Sequence, residues 1–185
     1  MSKIKKSTKR QRIQKYKINK NKVTHLLKKE QSKKTGINNL QIQNVLEKCP
    51  NFLGCFAQDD LRHLSITSNP SFLIVNFDSS YSYGTHWIAL RIGKRTIEIF
   101  DPLGFNSLRW PNIPYFLLDF LHRCSLHRHI IVSPEIQPYN STLCGFYCIY
   151  FVYFRSFQTF KECVNLFSKK LYKNDKILDH IFYKL

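Results

Sequence analysis

The hydrophobic positions of the chain fall into short runs and longer periodic stretches, and the two patterns predict different elements. The short runs are rich in β-branched and aromatic residues: 71–77 (SFLIVNF), 86–92 (HWIALRI) and 95–100 (RTIEIF). Gly93 and Lys94 separate the last two runs, which is the spacing of a tight hairpin. We therefore expect these three strands to form one antiparallel sheet.

The longer stretches have the period of an amphipathic helix. Residues 36–49 (GINNLQIQNVLEKC) predict a short helix that ends at Pro50. Four apolar residues lie near one face of this helix: Leu40, Ile42, Val45 and Leu46. Residues 113–124 (IPYFLLDFLHRC) and 176–185 (KILDHIFYKL) predict two further helices, and residues 129–133 (HIIVS) predict another strand.

Residues 144–157 (CGFYCIYFVYFRSF) are apolar on nearly every face, as in a helix buried at the centre of a domain. The many Tyr and Phe residues would also suit a buried strand. The length of the run, and the helix-starting residues NST at 140–142, favour the helix. The predicted fold class is α+β, with a central, mostly antiparallel sheet packed against a buried apolar helix.

The positive charge is concentrated at the amino terminus. Of the 29 Lys and Arg residues, fourteen lie in residues 1–34, where Glu30 is the one acid. This segment has few large apolar residues and strong self-repulsion, so burial cannot offset the entropy lost on ordering. We predict a basic, mostly disordered tail at 1–35 and one domain at 36–185, whose 43% hydrophobic content suffices for a core.

Dense positive charge attracts polyanions because binding releases their counterions, so nucleic acid is the expected partner of the tail. The stretch KKSTKRQR also fits a nuclear import signal. The alternative is a solubilising tail without a specific ligand. We expect no membrane binding, because HLLKK is too short an apolar patch for an anchor and no run of the chain is long enough to span a bilayer.

The chain has six cysteines, at positions 49, 55, 124, 144, 148 and 163, and none of them form a C-x-x-C pair. The amino terminus carries charges but lacks the apolar segment of a secretory signal. We therefore expect reduced thiols in an intracellular protein that is not secreted.

Cys144 is a candidate nucleophile because it stands at the predicted start of the apolar helix. A free thiol has a pKa of ~8.5, and unpaired N–H groups at a helix start, together with a nearby imidazolium, favour the reactive thiolate. Gly145 would let a substrate backbone approach closely. His86 is the best partner among the seven histidines, because it opens a strand with its side chain opposite in direction to Trp87.

Two further residues complete the chemistry. Asp101 ends the strand that pairs with the strand of His86, so its carboxylate can fix the imidazole tautomer and stabilise the charged ring. Gln137, seven residues before Cys144, can donate its amide to the oxyanion of a tetrahedral intermediate, together with the backbone N–H of Cys144. Singly, each residue has an ordinary structural explanation: a core thiol, as we interpret Cys148, a surface histidine or a turn residue.

Together these residues stand in stretches that resemble the adenovirus endopeptidase family of cysteine proteases. These adenain-type enzymes also occur in virophages and Polinton-like elements, and they share a papain-like core with the SUMO-specific proteases. Four stretches carry the resemblance: NFLGCF (51–56), GTHWIAL (84–90), IEIFDPLGF (97–105) and QPYNSTLCGFYC (137–148). The last is the most specific, because the family has Gln and Cys-Gly at this seven-residue interval. The resemblance runs from about residue 36 to about residue 160.

The resemblance implies that His86 is the base, Asp101 the acidic orienter, Gln137 the oxyanion donor and Cys144 the nucleophile. Adenoviral enzymes have Glu where Asp101 stands, and the SUMO-protease branch has Asp. The Gln-to-Cys interval favours the viral branch.

The resemblance also implies a substrate class and a setting. The substrates would be viral capsid and core precursor proteins, cut after Gly-Gly or Gly-X pairs that fit a narrow cleft. The chemistry would need no cofactor, although DNA and an activating peptide stimulate the adenoviral enzymes. We expect a monomer that acts in the virion and inside the cell, in the host nucleus or at the assembly site. Cys124 lies in the region of the peptide-linked thiol but is not assigned to it.

Three other interpretations stay open. The run HRCSLHRH holds four potential zinc ligands, but a helix and a strand on either side would make them diverge: His122, Cys124, His127 and His129. The same nucleophile could serve an isopeptidase that removes ubiquitin-like modifiers ending in Gly-Gly. The net charge of +17 also suits a packaging protein that binds nucleic acid through an inactive protease-like domain.

Overall fold

The computed structural model describes residues 20–33, 36–82, 84–105 and 113–184. Its six α-helices and five strands, for these described residues, follow in chain order: α1 (Lys20–Lys33), α2 (Asn39–Leu46), β1 (Phe52–Ala57), β2 (Ser71–Asn76), β3 (Trp87–Ile92), β4 (Thr96–Phe100), α3 (Tyr115–Ser125), β5 (His129–Val132), α4 (Cys144–Arg155), α5 (Phe160–Asn165) and α6 (Asn174–Lys184). Short 3₁₀ helices lie at Gln58–His63 and Leu171–Lys173. The predicted α+β class is confirmed.

The five strands form one sheet in the order β1-β2-β3-β4-β5. Its central pairings, β2 with β3 and β3 with β4, are antiparallel as predicted. Both edge strands pair in parallel, β1 with β2 and β5 with β4, so the sheet is mixed at its edges. The sequence pattern missed β1, because Gly54 interrupts the run and the register shifts between Phe52 and Gly54.

Helix α4 is the central helix that the apolar run predicts. Ten consecutive residues from Cys144 to Tyr153 are buried. The helix packs on one face of the sheet, where the rings of Phe151 and Phe100 stack with centroids 4.5 Å apart. A second core lies on the other face, between the sheet and Leu117 and Phe120 of α3. On the side away from the sheet, residues of α1, α2, α5 and α6 share one core with α4.

Helix α2 forms as predicted, with one difference. Asn38 caps it through a reciprocal capping box with Gln41, in which each side chain accepts a hydrogen bond from the other's backbone N–H, both at 2.9 Å. Ile42, Val45 and Leu46 are buried as expected. Leu40, however, is 68% exposed, because it lies on the opposite side of the helix from the buried stripe.

The expectation of a mostly disordered tail at 1–35 is wrong for residues 20–33, which form helix α1. Val23 and Leu27 are fully buried in the core shared with α4 and α6, and Leu26 packs against it. These apolar residues follow an i, i+3, i+4 spacing, so burial of one helical stripe offsets the ordering entropy despite the surrounding lysines. Residues 1–19, 34 and 35 lie outside the described residues.

In the described parts of the chain, no helix combines the length and the apolar character that crossing a membrane requires.

Candidate active site

His86 and Asp101 meet at one end of the sheet. His86 immediately precedes β3 and Asp101 immediately follows β4, and these strands are antiparallel neighbours, so the two residues project from the same sheet end. The Nε2 atom of His86 lies 2.7 Å from the Oδ1 atom of Asp101. The two residues are 1% and 0% exposed. The structure therefore brings together the histidine and the carboxylate that the sequence singled out.

Backbone and hydroxyl groups hold both the side chain and the backbone of Asp101 in place. Its Oδ1 atom also accepts a hydrogen bond from the Leu103 N–H at 2.9 Å. Ser133 accepts from the Asp101 N–H at 3.0 Å and donates its hydroxyl to the Asp101 carbonyl at 2.9 Å. Ser133 lies just beyond β5, 32 residues later, and no local feature of the sequence pointed to it.

Cys144 is the first residue of α4, and its thiol is close enough to the His86 ring to influence the pKa of that ring. Because Nε2 of His86 faces Asp101, Nδ1 is the ring nitrogen left for the thiol. Burial alone would lower the pKa of His86, but hydrogen bonds to Asp101 and Cys144, and the charges of these two groups, raise it to about 9. At neutral pH the imidazole is therefore favoured in its charged form, which stabilises a neighbouring thiolate.

The other thiols are held as neutral groups by burial. Burial raises the pKa of Cys49, Cys55 and Cys163 to about 12 in each case. It raises the pKa of Cys148 well above its usual range, and the Cys148 thiol donates to the Trp87 carbonyl at 3.3 Å. Cys148 is thus a core thiol, in agreement with its interpretation from sequence.

Gln137 lies in the loop between β5 and α4 and is 1% exposed. Its backbone N–H donates to the Pro102 carbonyl at 2.8 Å, beside Asp101, and its Nε2 donates to the Ser141 carbonyl at 2.7 Å. The Oε1 atom of Gln137 is buried with no hydrogen-bond partner among the described residues. Gln137, His86 and Cys144 line the same cleft.

Gly145 has a different role from the one expected. A Cβ atom at this position would overlap Cγ2 of Ile37 and lie 3.3 Å from both Ile42 and Trp87. Gly145 therefore permits close packing of α4 against the chain before α2, rather than the approach of a substrate. The indole N–H of Trp87 donates to the Ile37 carbonyl at 3.0 Å and fixes this contact.

The cleft has a volume of about 470 Å³. Apart from His86, Gln137 and Cys144, its lining is dominated by small and polar residues, among them Gly36, Asn38, Asn76, Ser80, Gly84 and Thr85. Cys55 also lines it, but as a neutral thiol. Such a lining offers backbone and amide groups to an extended peptide, beside the apolar side chains of Ile37, Phe56, Trp87 and Leu103.

The residues of the HRCSLHRH run are spread over different elements. His122 and Cys124 lie on α3, His127 follows that helix, and His129 begins β5. Within residues 20–33, 36–82, 84–105 and 113–184, no group of three or more His, Cys, Asp or Glu side chains could hold a metal ion. Cys124 packs against the core on the face of the sheet away from α4.

Comparisons with known proteins agree with this geometry. A family model for the adenovirus endoprotease matches residues 52–174. No curated protein sequence matches the chain significantly. The crystal structure of the ASFV pS273R protease has a TM-score of 0.54 and 15% identity, over 80% of this chain and 66% of that chain. The SUMO protease Ulp1 has a TM-score of 0.43 and 17% identity, over 84% of this chain and 81% of that chain.

At 15% identity, the structural likeness to the ASFV protease shows a shared fold and no more. This chain spans about two thirds of the length of that enzyme. The match to the family model shows more than a shared fold, because it covers more than half of the chain. The chain belongs to the adenovirus endoprotease family of cysteine proteases.

Proposed function

We propose that the protein is a cysteine endopeptidase in which Cys144 is the nucleophile and His86 its acid–base partner. The observation that carries this proposal is the buried imidazole of His86, which lies 2.7 Å from Asp101 and lines the same cleft as Cys144, whose thiol helps to raise the pKa of the ring. An imidazolium between a thiol and a carboxylate favours the thiolate at neutral pH. The chemistry requires no cofactor, because the pair supplies both the nucleophile and the proton donor.

The reaction follows from this arrangement. The Cys144 thiolate attacks the carbonyl carbon of the scissile bond, and His86 gives its proton to the leaving amine as the thioester forms. Neutral His86 then takes a proton from water, which attacks the thioester and releases the thiolate. Asp101 keeps the ring in the tautomer that places Nδ1 toward sulfur.

The negative oxygen of each tetrahedral intermediate needs donors. First-turn N–H groups of a helix lack intrahelical acceptors, so the N–H of Cys144 is suited to this role. Gln137 supplies a second donor: its amide nitrogen has two hydrogens, and the Ser141 carbonyl accepts one of them. Each such donor is worth about 2.7–4 kcal/mol in the transition state.

We propose precursor proteins of a viral particle as substrates, cut after Gly-Gly or Gly-X pairs. Ile37 and Trp87 line the cleft together with Cys144, and the bond between them holds them close together, which supports a preference for small residues at the cut. The polar lining further along the cleft suits an extended peptide backbone. Family membership supports the viral setting, with action in the virion or at the site of its assembly.

We also propose that the basic amino-terminal segment binds nucleic acid and that DNA stimulates cleavage in this way. Residues 1–34 hold fourteen Lys and Arg residues, and Lys22, Lys28 and Lys29 are exposed on α1. Binding of enzyme and precursor to the same polyanion raises their local concentration. We propose a monomeric enzyme in the host nucleus or at the viral assembly site.

The deciding experiment incubates the purified chain with candidate capsid and core precursors, with and without DNA, and maps the cut sites by mass spectrometry. We expect cleavage after small residues that Cys144→Ala abolishes while DNA binding is unchanged. Reaction with a ubiquitin or SUMO probe bearing a reactive carboxyl terminus, without precursor cleavage, would instead assign an isopeptidase. If Cys144 reacts with iodoacetamide at pH 6 no faster than the other five thiols, the protease-like domain is inactive. The protein would then be a packaging protein that binds nucleic acid.

A further inference from the structure

The orientation of the Gln137 amide depends on a single acceptor. Its Nε2 atom donates to the Ser141 carbonyl at 2.7 Å, four residues further along the same loop. This bond occupies one amide hydrogen and thereby fixes the direction of the other. A displacement of Ser141 would turn the second hydrogen away from the position of the oxyanion.

Asp175 holds Ser141 from a distant part of the chain. The Ser141 hydroxyl donates to Oδ1 of Asp175 at 3.1 Å and accepts the Leu143 N–H at 3.2 Å. Asp175 is the second residue of α6, where the unpaired N–H groups of the first turn favour a carboxylate. Ser141 is thus tied both to α6 and to the residue before Cys144.

The same oxygen of Asp175 also holds the nucleophile helix. The Tyr147 hydroxyl donates to Oδ1 of Asp175 at 2.9 Å, and Tyr147 lies three residues after Cys144 on α4. Next to Asp175, the Asn174 amide donates to the Ile136 carbonyl at 2.7 Å, immediately before Gln137. The first two residues of α6 therefore bind the loop of Gln137 at Ile136 and Ser141, and they bind α4 at Tyr147.

We infer that Asp175 is a positioning residue that aligns the oxyanion donor Gln137 with Cys144. This inference rests on the proposed function and concerns the same site. Among the described residues, Asp175 has no hydrogen bond to His86 or Cys144, and its link to the nucleophile helix is made further along, at Tyr147. We therefore expect its loss to affect the oxyanion donor far more than the thiolate–imidazolium pair. A residue needed only for folding would affect both.

Two reactions of the full chain separate these effects. Alkylation of Cys144 by iodoacetamide at pH 6 requires the thiolate but forms no oxyanion, whereas cleavage of a Gly-Gly peptide requires both. For Asp175→Ala we expect kcat to fall about 10- to 100-fold, with KM and the alkylation rate changed by less than about twofold. Asp175→Asn should recover most of kcat, because its amide oxygen accepts from the same two hydroxyls.

Ser141→Ala is the second test, since it removes the hydroxyl and keeps the carbonyl that Gln137 uses. We expect it to reproduce the loss in kcat, and the double variant to lose little more than either single variant. Asp179→Ala is the matched control, because it removes the same charge from the next turn of α6.

The inference is overturned if kcat is unchanged in Asp175→Ala and Ser141→Ala, or if cleavage and alkylation fall together in soluble, folded variants. Should Asp175→Ala fail to fold, Ser141→Ala and Asp175→Asn decide between the two outcomes. A wild-type chain that cleaves nothing and alkylates slowly would refute the proposed function itself, which is a separate result.

Discussion

At the scale of single residues, the site combines a raised histidine pKa with five thiols held neutral. Burial opposes a charged His86, and Asp101 and Cys144 outweigh it, so the ring keeps its proton to about pH 9. Burial raises the pKa of each of the other cysteines: Cys49, Cys55, Cys124, Cys148 and Cys163. In the proposed mechanism, selective reactivity depends on the charged His86 beside one sulfur rather than on exposure, since Cys144 and Cys49 are both 8% exposed.

The raised pKa of His86 makes folding stability depend on pH. The folded chain binds a proton at His86 up to about pH 9, whereas the unfolded chain releases it near pH 6.5. The stability from this group is fully present below about pH 6.5 and is lost as pH rises through about 9. We expect the free energy of unfolding, measured with urea, to decrease across this range, and to decrease less in His86→Gln. Equal slopes in both proteins would contradict the assignment.

Asp101→Asn tests the orienting carboxylate directly. Without the charge of Asp101, burial of the ring favours neutral His86, and the thiolate loses its counter-charge. We expect peptide cleavage at pH 7 to fall by roughly 10²–10⁴-fold, with slower alkylation of Cys144 at pH 6. Asp119→Asn, a change at an acid on α3 whose side chain is 41% exposed, should leave both rates unaltered.

Gly145 provides a test of close packing beside the site. An added methyl group overlaps Ile37, so Gly145→Ala should destabilise the fold by about 1–3 kcal/mol in urea unfolding. Ile37→Ala opens the space that the methyl group needs. The double variant should therefore be more stable than the sum of the single changes predicts, and strict additivity would show that the two positions do not touch.

At the scale of elements, a buried charge cluster joins the far end of α4 to the strands that carry His86 and Asp101. Glu98 on β4 is 2% exposed and accepts two bonds from Arg155, at 2.7 and 2.8 Å, and one from Arg91 on β3, at 3.0 Å. The carboxylate thus ties both central strands to the helix that begins at Cys144. Removing one member of such a cluster leaves the others charged and poorly solvated.

Glu98→Ala should therefore be costly. We expect a loss of about 3–5 kcal/mol in the free energy of unfolding, because both arginines lose a buried counter-charge. The Arg123–Asp119 pair, at 2.9 Å with both side chains over one third exposed, is the control. Asp119→Ala should cost less than about 1 kcal/mol, because water screens that pair. Similar losses at both sites would show that the cluster contributes no more than a surface pair.

At the scale of the whole molecule, local sequence patterns predicted the strands and the helix that carry the site. The supporting residues around the site, and helix α1, depend on tertiary contacts that such patterns do not show. Strand ends and a helix start locate His86, Asp101 and Cys144, because such positions have local sequence signals. Ser133 and Asp175 have none: they meet the site only after the chain folds back over 30 residues or more. The sequence pattern did not predict α1, because its high charge density is typical of disorder. Its apolar residues Val23 and Leu27 are buried against residues of α4 and α6, more than 100 positions later in the chain.

We predict that two parts of the basic segment have separable roles: residues 1–19 in the proposed DNA binding, and helix α1 in the stability of the fold. Residues 1–19 contain eight Lys and Arg residues and no acid, so their removal should weaken DNA binding and reduce its salt dependence. Stability and DNA-free peptide cleavage should not change. Removal of residues 1–35 also takes away the buried Val23 and Leu27, each worth about 1.5–3 kcal/mol, and should lower the unfolding free energy by several kcal/mol. If both deletions are equally stable, α1 adds nothing to the fold, and the domain begins at residue 36.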